Sequence, residues 1–259
     1  MFEQRLKEIE DECWANEPSL LFLTGDEKLL KLENRKRKRN GQEPLVFVPN
    51  FRFEVAKSTP YKSKRSSKPY HYNNLRAFIH QNLSPIIAWG CEADDYLAIY
   101  QTQAEPLTTV ICSRDKDLRQ VPGMQYSWEC GNQAGWGPFN VNLIGEIDLP
   151  KPNKLVGHGL KFFFAQVIMG DSVDTIPGLP KGGPALAYKT LADCETEEDM
   201  YGAVEALYQL RIGEGWEDYL KEQMSLLWMV REMDEDGRPI PYQPPERLQM
   251  CEVRREASV

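Results

Sequence analysis

Histidine and cysteine are scarce where metal chemistry would need them. The six cysteines, Cys13, Cys91, Cys112, Cys130, Cys194 and Cys251, are scattered. None lies close enough to another for a zinc knuckle, and their spacing is not that of a disulfide framework. Two sit inside apolar strand or helix patterns, as reduced buried cysteines do, so the sequence predicts a reducing cytoplasm. Long hydrophobic runs are lacking too, which argues against a signal peptide or a membrane span. Nor is positive charge in excess: a net charge of −8 over 259 residues is no bulk sign of a nucleic-acid binder. The length suffices for one large domain or two small ones, and the apolar and charged fractions are those of a globular protein.

What the chain does have is carboxylates in tight groups. Glu92, Asp94 and Asp95 fall in CEADD, Asp115 and Asp117 in SRDKDL, and Asp171 and Asp174 in GDSVDTIPG. Such groups repel one another unless a cation sits between them. Their donors are all oxygen, which suits hard cations, Mg²⁺ or Mn²⁺ above the rest. The helix dipole alone favours acids in a first turn and accounts for one or two of the first group, less well for three. The expectation is a metal-dependent phosphodiesterase. Charge is also uneven, with basic residues dominating between Lys28 and Arg76. A basic patch inside an acidic protein fits a nuclease that holds phosphates on one surface and metals on another; a solvated basic loop is the plainer alternative.

Taken in order, residues 1–15 place Phe2, Leu6, Ile9 and Cys13 at three- and four-residue steps and predict an amphipathic helix ended by Pro18. Leu20 to Leu23 reads as a short buried strand. Asp26 follows at its C-terminal end, where open α/β sheets form their ligand crevice; a helix N-cap is the other use of such an Asp. NRKRKRNGQEP is predicted as loop or frayed helix, and LVFVPNFRFEV as a strand or a hairpin broken at Pro49. TPYKSKRSSKPYHY interleaves Tyr61, Tyr70 and Tyr72 with Lys62, Lys64, Arg65 and Lys68. That pattern suits single-stranded nucleic acid, because cations hold phosphates while rings stack on bases. A polar linker is the alternative, and with so few apolar residues the segment should be mobile when unbound.

A helix over 73–83 is predicted to turn Leu75, Phe78, Ile79 and Leu83 inward. PIIAWG and TTVICS read as strands, with a helix over 92–100 between them, and Asp115 and Asp117 again follow a strand's C-terminal edge. The alternation predicts an α/β fold with a mostly parallel twisted sheet flanked by helices. Beyond it come a turn-rich hairpin, a helix over 159–170, the turn IPGLPKGGP, a helix that starts with ALAYKTLADC, and helices near 197–210 and 216–231. Helix, Gly-rich turn and helix can present backbone N–H groups to a phosphate, or serve only as a packing turn. The predicted division is 1–150 as a metal-binding core with a basic arch at 50–76, 151–245 as a helical DNA-binding region, and 246–259 as a disordered tail.

Five of these stretches, in this order, resemble the bacteriophage 5′-nuclease family of flap endonucleases and 5′→3′ exonucleases. LTGDEK is similar to the family's second-strand Asp motif, at Asp26, and PYKSKR to its Tyr-Lys-x-x-Arg arch motif, at Tyr61, Lys62 and Arg65. CEADD resembles Glu-x-Asp-Asp, and SRDKDL resembles Ser-x-Asp-Lys-Asp-Leu. GDSVDTIPG resembles Gly-Asp-x-x-Asp-Asn-x-x-Gly, which opens a helix–three-turn–helix. The resemblance implies a PIN-like nuclease core and two divalent ions, Mg²⁺ or Mn²⁺, ~4 Å apart. Asp26, Glu92, Asp94, Asp95, Asp115, Asp117, Asp171 and Asp174 would hold those ions directly or through water. It implies Lys62 and Arg65 as catalytic groups on the scissile phosphate. It implies Tyr61, Lys64, Lys68, Lys116, Gly178, Lys181, Gly182 and Gly183 as DNA contacts, with K⁺ at the helix–three-turn–helix. The implied substrate is DNA with 5′ ends, flaps or nicks, in phage replication or repair. A DNA-binding module that does not cut, and an RNase of related fold, are the competing expectations.

The chain departs from the family at Thr175, where Asn is usual, and at Lys181, where the turn often has Gly. The family also opens with a mid-sheet strand that carries an Asp, and no Asp after an apolar run precedes Leu20. The resemblance therefore implies one missing ligand and one missing central strand, supplied by a longer or a separate polypeptide, the alternative being a degenerate or DNA-binding relative with weakened catalysis. It implies a chain that alone is poorly soluble or weakly active, because an absent strand leaves two open edges.

Overall fold

The computed structural model describes residues 2–64 and 67–245; the predicted tail at 246–259 and Arg65 of the arch motif lie outside the described residues. In chain order the elements are α1 (Phe2–Glu12), β1 (Phe22–Thr24), α2 (Glu27–Arg39), α3 (Arg52–Val55), α4 (Tyr72–Asn82), β2 (Ile86–Ala88), α5 (Ala93–Gln103) and β3 (Val110–Cys112). A 3₁₀ helix (Lys116–Gln120) follows, then β4 (Gly123–Ser127), β5 (Trp136–Val141), β6 (Glu146–Lys151) and β7 (Lys154–His158). The chain continues through α6 (Gly159–Met169), α7 (Pro184–Leu191), α8 (Glu197–Ile212) and α9 (Trp216–Leu227).

The fold is α/β, as the alternating pattern predicts. Two parallel pairings carry it: β1 with β2, Phe22 opposite Ile86, and β3 with β4, Val110 opposite Met124. β5 joins β4 antiparallel, and β6 and β7 form a separate hairpin. The strands thus make three ladders instead of one continuous sheet. Helix α5 packs on both β1 and β3 and so spans two of them. The Leu21 carbonyl and the Gly25 N–H bond to the β2 side, so the backbone groups of Phe22 and Thr24 turn the other way. In the same manner Ser113 N–H bonds to Tyr126 on β4, and Cys112 faces away. Among the described residues neither outward edge has a strand partner; the Thr24 carbonyl accepts from the Arg76 guanidinium instead.

Several segments differ from their sequence expectation for local reasons. Of the two forms expected for the basic stretch, its residues to Arg39 take the helical one, as the second half of α2. Asp26 caps that helix by accepting the Leu29 N–H at 2.9 Å, and Lys36 to Arg39 fill its last turn, where cations meet the negative end of the helix dipole. LVFVPNFRFEV forms no strand or hairpin; residues 45–50 are irregular and α3 is a single turn. Pro49 has no N–H to give a ladder. In α4 the inward residues are Arg76, Ile79 and His80, while Leu75 and Phe78 are 44% and 41% exposed. That helix packs on α2, and polar pairs choose its face: His80 Nε2 lies 2.9 Å from Glu33, and Arg76 pairs with Asp26.

The core forms around α6. GLKFFFAQVIM is apolar all round, which suits a helix buried on every side. Phe163, Phe164, Ala165, Val167 and Ile168 are fully buried. Leu191, Met200, Val204, Tyr208, Leu220, Met224 and Leu227 from α7, α8 and α9 enclose them. Phe163 meets Phe164, Trp228 and Tyr242 at ring-centroid distances of 5.2, 5.0 and 5.1 Å. Tyr61 and Ile99 join the same cluster, and residue 150 falls inside β6, so the packing crosses the predicted domain boundary. Phe163→Ala should therefore destabilise the whole chain by about 3–5 kcal/mol, read as a single shifted denaturant transition. Two transitions with only one of them shifted would show two independent cores. No described helix is long and apolar enough to cross a membrane.

Candidate active site

The predicted acids come from distant stretches and meet at one place because of the elements that carry them. Glu92 and Asp94 open α5, Asp115 and Asp117 start the 3₁₀ helix beyond β3, and Asp171 and Asp174 lie in the turn after α6. Lysines tie them in pairs: Lys116 lies 2.8 Å from Asp171 and 3.3 Å from Asp117, and Lys62 pairs with Glu92 and lies 3.4 Å from Asp174. Burial, then the charges of Asp115, Glu92 and Asp95, push the Asp94 carboxyl up to about 8. Burial, opposed by Lys116 but helped by Asp115 and Asp171, pushes Asp117 up to about 6. Carboxyls raised in this way are acids short of positive charge.

The acids are not equivalent. Asp95 has no exposed surface and is saturated by protein donors. Arg52 holds it in a two-point grip at 2.6 and 2.8 Å, and the Glu92 and Val230 N–H groups add 2.9 and 3.1 Å bonds. Arg52 also donates to the Leu226 and Trp228 carbonyls at the end of α9, at 3.0 and 2.6 Å. Asp95 is thus an anchor that fixes the start of α5 against the C-terminal segment, and its oxygens are spent away from the crevice. Asp26 is similarly committed, to the α2 cap and to Arg76.

The remaining acids are held by backbone donors and two lysines. Asp115 is exposed and accepts the Asp117 N–H at 2.9 Å. Gln166 of α6 donates to Asp117 at 2.5 Å. Asp171, 5% exposed, accepts the Val173 and Asp174 N–H groups on Oδ1 at 2.7 and 3.3 Å and the Lys116 ammonium on Oδ2 at 2.8 Å. Burial would raise Asp171, but Lys116 and these N–H bonds outweigh it and hold the carboxyl below its ordinary range. Lys116 also lies 3.3 Å from Asp117. Lys62 pairs with Glu92 and stands 3.4 Å from Asp174. Its own N–H donates to the Asp174 carbonyl at 2.8 Å, and its φ of +56° is in the left-handed region. Each of the two ammonium groups therefore sits between a pair of acids. Among the described residues, no three acids, histidines or cysteines converge closely enough to hold an ion. The donor set itself, oxygens with two raised carboxyls, fits a hard divalent cation.

The expected DNA contacts divide. Tyr61 is not available for stacking: it is 5% exposed, packs edge-on to Phe53, and donates its hydroxyl to Asp174 at 3.1 Å. A large apolar ring beside the core is more stable buried than presented to solvent. Lys64, Lys68 and Lys181 are exposed, although Lys68 rests over the Tyr72 ring at 4.5 Å. Gly178 uses its N–H on Gln223 and its carbonyl on Tyr219, at 2.9 and 2.8 Å. Its φ of +66° and the Gly170 backbone beside it, 2.3 Å from where a Cβ would lie, leave room only for glycine. Gly182 N–H bonds to Leu179 at 2.7 Å, so of the three glycines Gly183, at the head of α7, is the one with open space around it. Arg52, Arg76, Gln166 and Gln223 are the residues that sequence reasoning missed. An arginine flanked by two phenylalanines in NFRFEV is the one visible signal among them.

No family model matches the chain. It is 33% identical over 143 residues to a DNA polymerase I of Rhizobium leguminosarum, covering 51% of this chain and 13% of that protein. It is 27% identical over 192 residues to a DNA polymerase I of Synechocystis, covering 68% and 19%. It is 25% identical over 201 residues to a 5′-3′ exonuclease of Buchnera aphidicola, covering 70% and 64%. The chain thus spans less than two thirds of the length of each of these relatives. Among solved structures, the T5 D15 protein co-crystallised with metal ions aligns over 87% of this chain and 86% of its own, with a TM-score of 0.39 and 13% identity. The sequence relatives bear out the resemblance to 5′-nucleases read from the motifs.

Proposed function

We propose that this chain, similar to the 5′-nucleases, hydrolyses DNA phosphodiester bonds from 5′ ends or flaps with the help of divalent cations. The observation that carries the reading is that two lysines tie acids of three motifs into one crevice: Lys116 lies 2.8 Å from Asp171 and 3.3 Å from Asp117, and Lys62 pairs with Glu92 and lies 3.4 Å from Asp174. In this reading Glu92, Asp94, Asp115, Asp117, Asp171 and Asp174 would hold Mg²⁺ or Mn²⁺, while Asp95 and Asp26 support from behind. When bound, the cations supply an activated water and counter-charge for the leaving oxygen. Lys62, fixed by Glu92 and by the Asp174 carbonyl, presents a positive group beside the acids that can meet a phosphate oxygen. Arg65 shares that role by the motif alone. Exposed Lys64, Lys68 and Lys181 would hold flanking phosphates, and the turn before α7, with Gly183 at its end, would take the duplex backbone and K⁺.

A second reading is favoured by the outward edges of β1 and β3: a strand from elsewhere completes the sheet, and without it the chain binds DNA but cuts poorly. Cleavage of a 5′-labelled flap DNA separates the two. Short 5′ products with Mg²⁺ or Mn²⁺ and none with EDTA are expected under the first reading. Retained DNA binding with no products in either metal would sink it and favour the second.

A further inference from the structure

The cations of α2 form a stripe. Lys28, Lys31, Arg35, Lys38 and Arg39 follow three- and four-residue steps, so they share one face of the helix, and all five are exposed. Another face is the one that packs: Leu29 is buried, and Glu33 meets His80 of α4 at 2.9 Å. Asp26 and Glu33 are spent on Arg76 and His80, and among the described residues none of the five cations pairs with a carboxylate. Lys31 with Arg35, and Arg35 with Arg39, stand one turn apart as like charges, which weakens a helix. The helix dipole favours Lys38 and Arg39 in the last turn but opposes Lys28 in the first. Helix stability therefore does not explain the stripe. A self-repelling row of cations on a chain of net charge −8 is matched by a polyanion.

The position of α2 says where that polyanion comes from. Thr24, at the end of β1, accepts the Ala93 N–H on its hydroxyl at 2.9 Å, and Ala93 lies between Glu92 and Asp94. Asp26, two residues on, caps α2. The first turn of α2 thus stands at the crevice, and the stripe extends about 16 Å from Lys28 to Arg39. Five positive charges over that length are about one per 3–4 Å, the axial spacing of phosphates along one nucleic-acid strand.

We propose that α2 is a track for one DNA strand: Lys28, Lys31, Arg35, Lys38 and Arg39 take successive phosphates of the strand that runs on from the crevice. The track rests on the DNA reading above and deepens it, since all but Lys28 lie outside the five motif stretches. Such contacts position a strand without reading its bases, so the track is indifferent to sequence.

The test is fluorescence anisotropy of a labelled flap DNA with the full chain in EDTA, repeated across a salt series. Lys31→Gln, Arg35→Gln, Lys38→Gln and Arg39→Gln combined keep good helix formers and remove the self-repulsion, so this variant should melt no lower than the unaltered chain. Its slope of log K against log salt should be shallower by about 2–3, four contacts at about 0.7 each, and its affinity at ~0.1 M salt lower by on the order of a hundredfold. Lys7, Lys151, Lys154 and Lys221 are exposed on other elements. Changing those four to Gln removes the same charge and should leave the slope unaltered and the affinity within about threefold, because distant exposed charges are screened. An unchanged slope in the α2 variant, or an equal loss in the control, would overturn the track. Anionic phospholipid vesicles that bind the unaltered chain but not the α2 variant, with equal DNA binding by the two, would overturn it in favour of a membrane surface. No DNA binding by the unaltered chain would overturn the track and the DNA reading together. The expected slope difference with no cleavage in Mg²⁺ or Mn²⁺ would uphold the track and sink hydrolysis alone.

Discussion

Replacing Arg52 by Met should cost the protein about 3–5 kcal/mol and lower its melting temperature by on the order of 10 °C, more than any surface change in the chain. Arg52 is 1% exposed and is the charge partner of a fully buried Asp95. Its removal strands that carboxylate and frees the Leu226 and Trp228 carbonyls at once. The bonds that Asp95 accepts from the Glu92 and Val230 N–H groups remain, but a lone buried charge is not balanced by two amide dipoles. Asp95→Asn should cost a comparable amount, whereas Arg52→Met combined with Asp95→Leu should lose much less than the sum of the single changes. Equilibrium urea unfolding of these variants beside the unaltered protein measures this directly. A loss under about 1 kcal/mol in Arg52→Met would show that the grip is dispensable. The functional consequence follows from position: Asp95 lies in the first turn of α5, so a loosened anchor moves Glu92 and Asp94 with it.

Asp94→Asn should do the opposite to stability while removing cleavage. Burial and three neighbouring acids raise this carboxyl from 3.8 to about 8, so the folded state holds its proton more tightly than the unfolded chain does. Its contribution to stability is full below the unfolded value and is lost as pH rises toward about 8. In EDTA the unaltered protein should therefore become less stable from about pH 5 to about pH 8, and Asn in place of Asp94 should flatten that slope. A gain of about 1–2 kcal/mol near the upper end of that range is expected, discounted for a carboxyl that still touches the crevice. Cleavage of flap DNA should fall at least about a hundredfold, while binding persists or rises because a negative charge near the phosphates is gone. An identical pH slope in both proteins would show that Asp94 is not held protonated. Cleavage at the unaltered rate would remove it from the catalytic group.

Which residues the proposed chemistry would use is legible in the sequence alone. Three short motifs hold all-oxygen acids, and no histidine or cysteine pattern competes with them, so a hard cation is what residue type and spacing lead one to expect. The element types are legible for a similar reason: apolar spacing predicts α1, α5 and α6, and short β-branched runs predict β2 and β3. α6, apolar on every side, also announces where the core lies.

How those acids are used is settled by tertiary contacts, because pairing between residues far apart in the chain leaves no periodic trace. Asp95 and Asp94 are neighbours in one motif, yet Arg52 and the Val230 N–H claim the first, while burial against other acids raises the second. Tyr61 sits in a basic, aromatic segment and reads as a stacking ring, but Phe53 and the core around α6 bury it. Leu75 and Phe78 read as the inward face of α4, but the Asp26–Arg76 and Glu33–His80 pairs rotate that helix, since polar groups that would lose their partners outweigh two half-exposed apolar side chains. Local pattern selects elements and residue chemistry; the contacts made by single polar groups across the fold select which of those residues face the crevice.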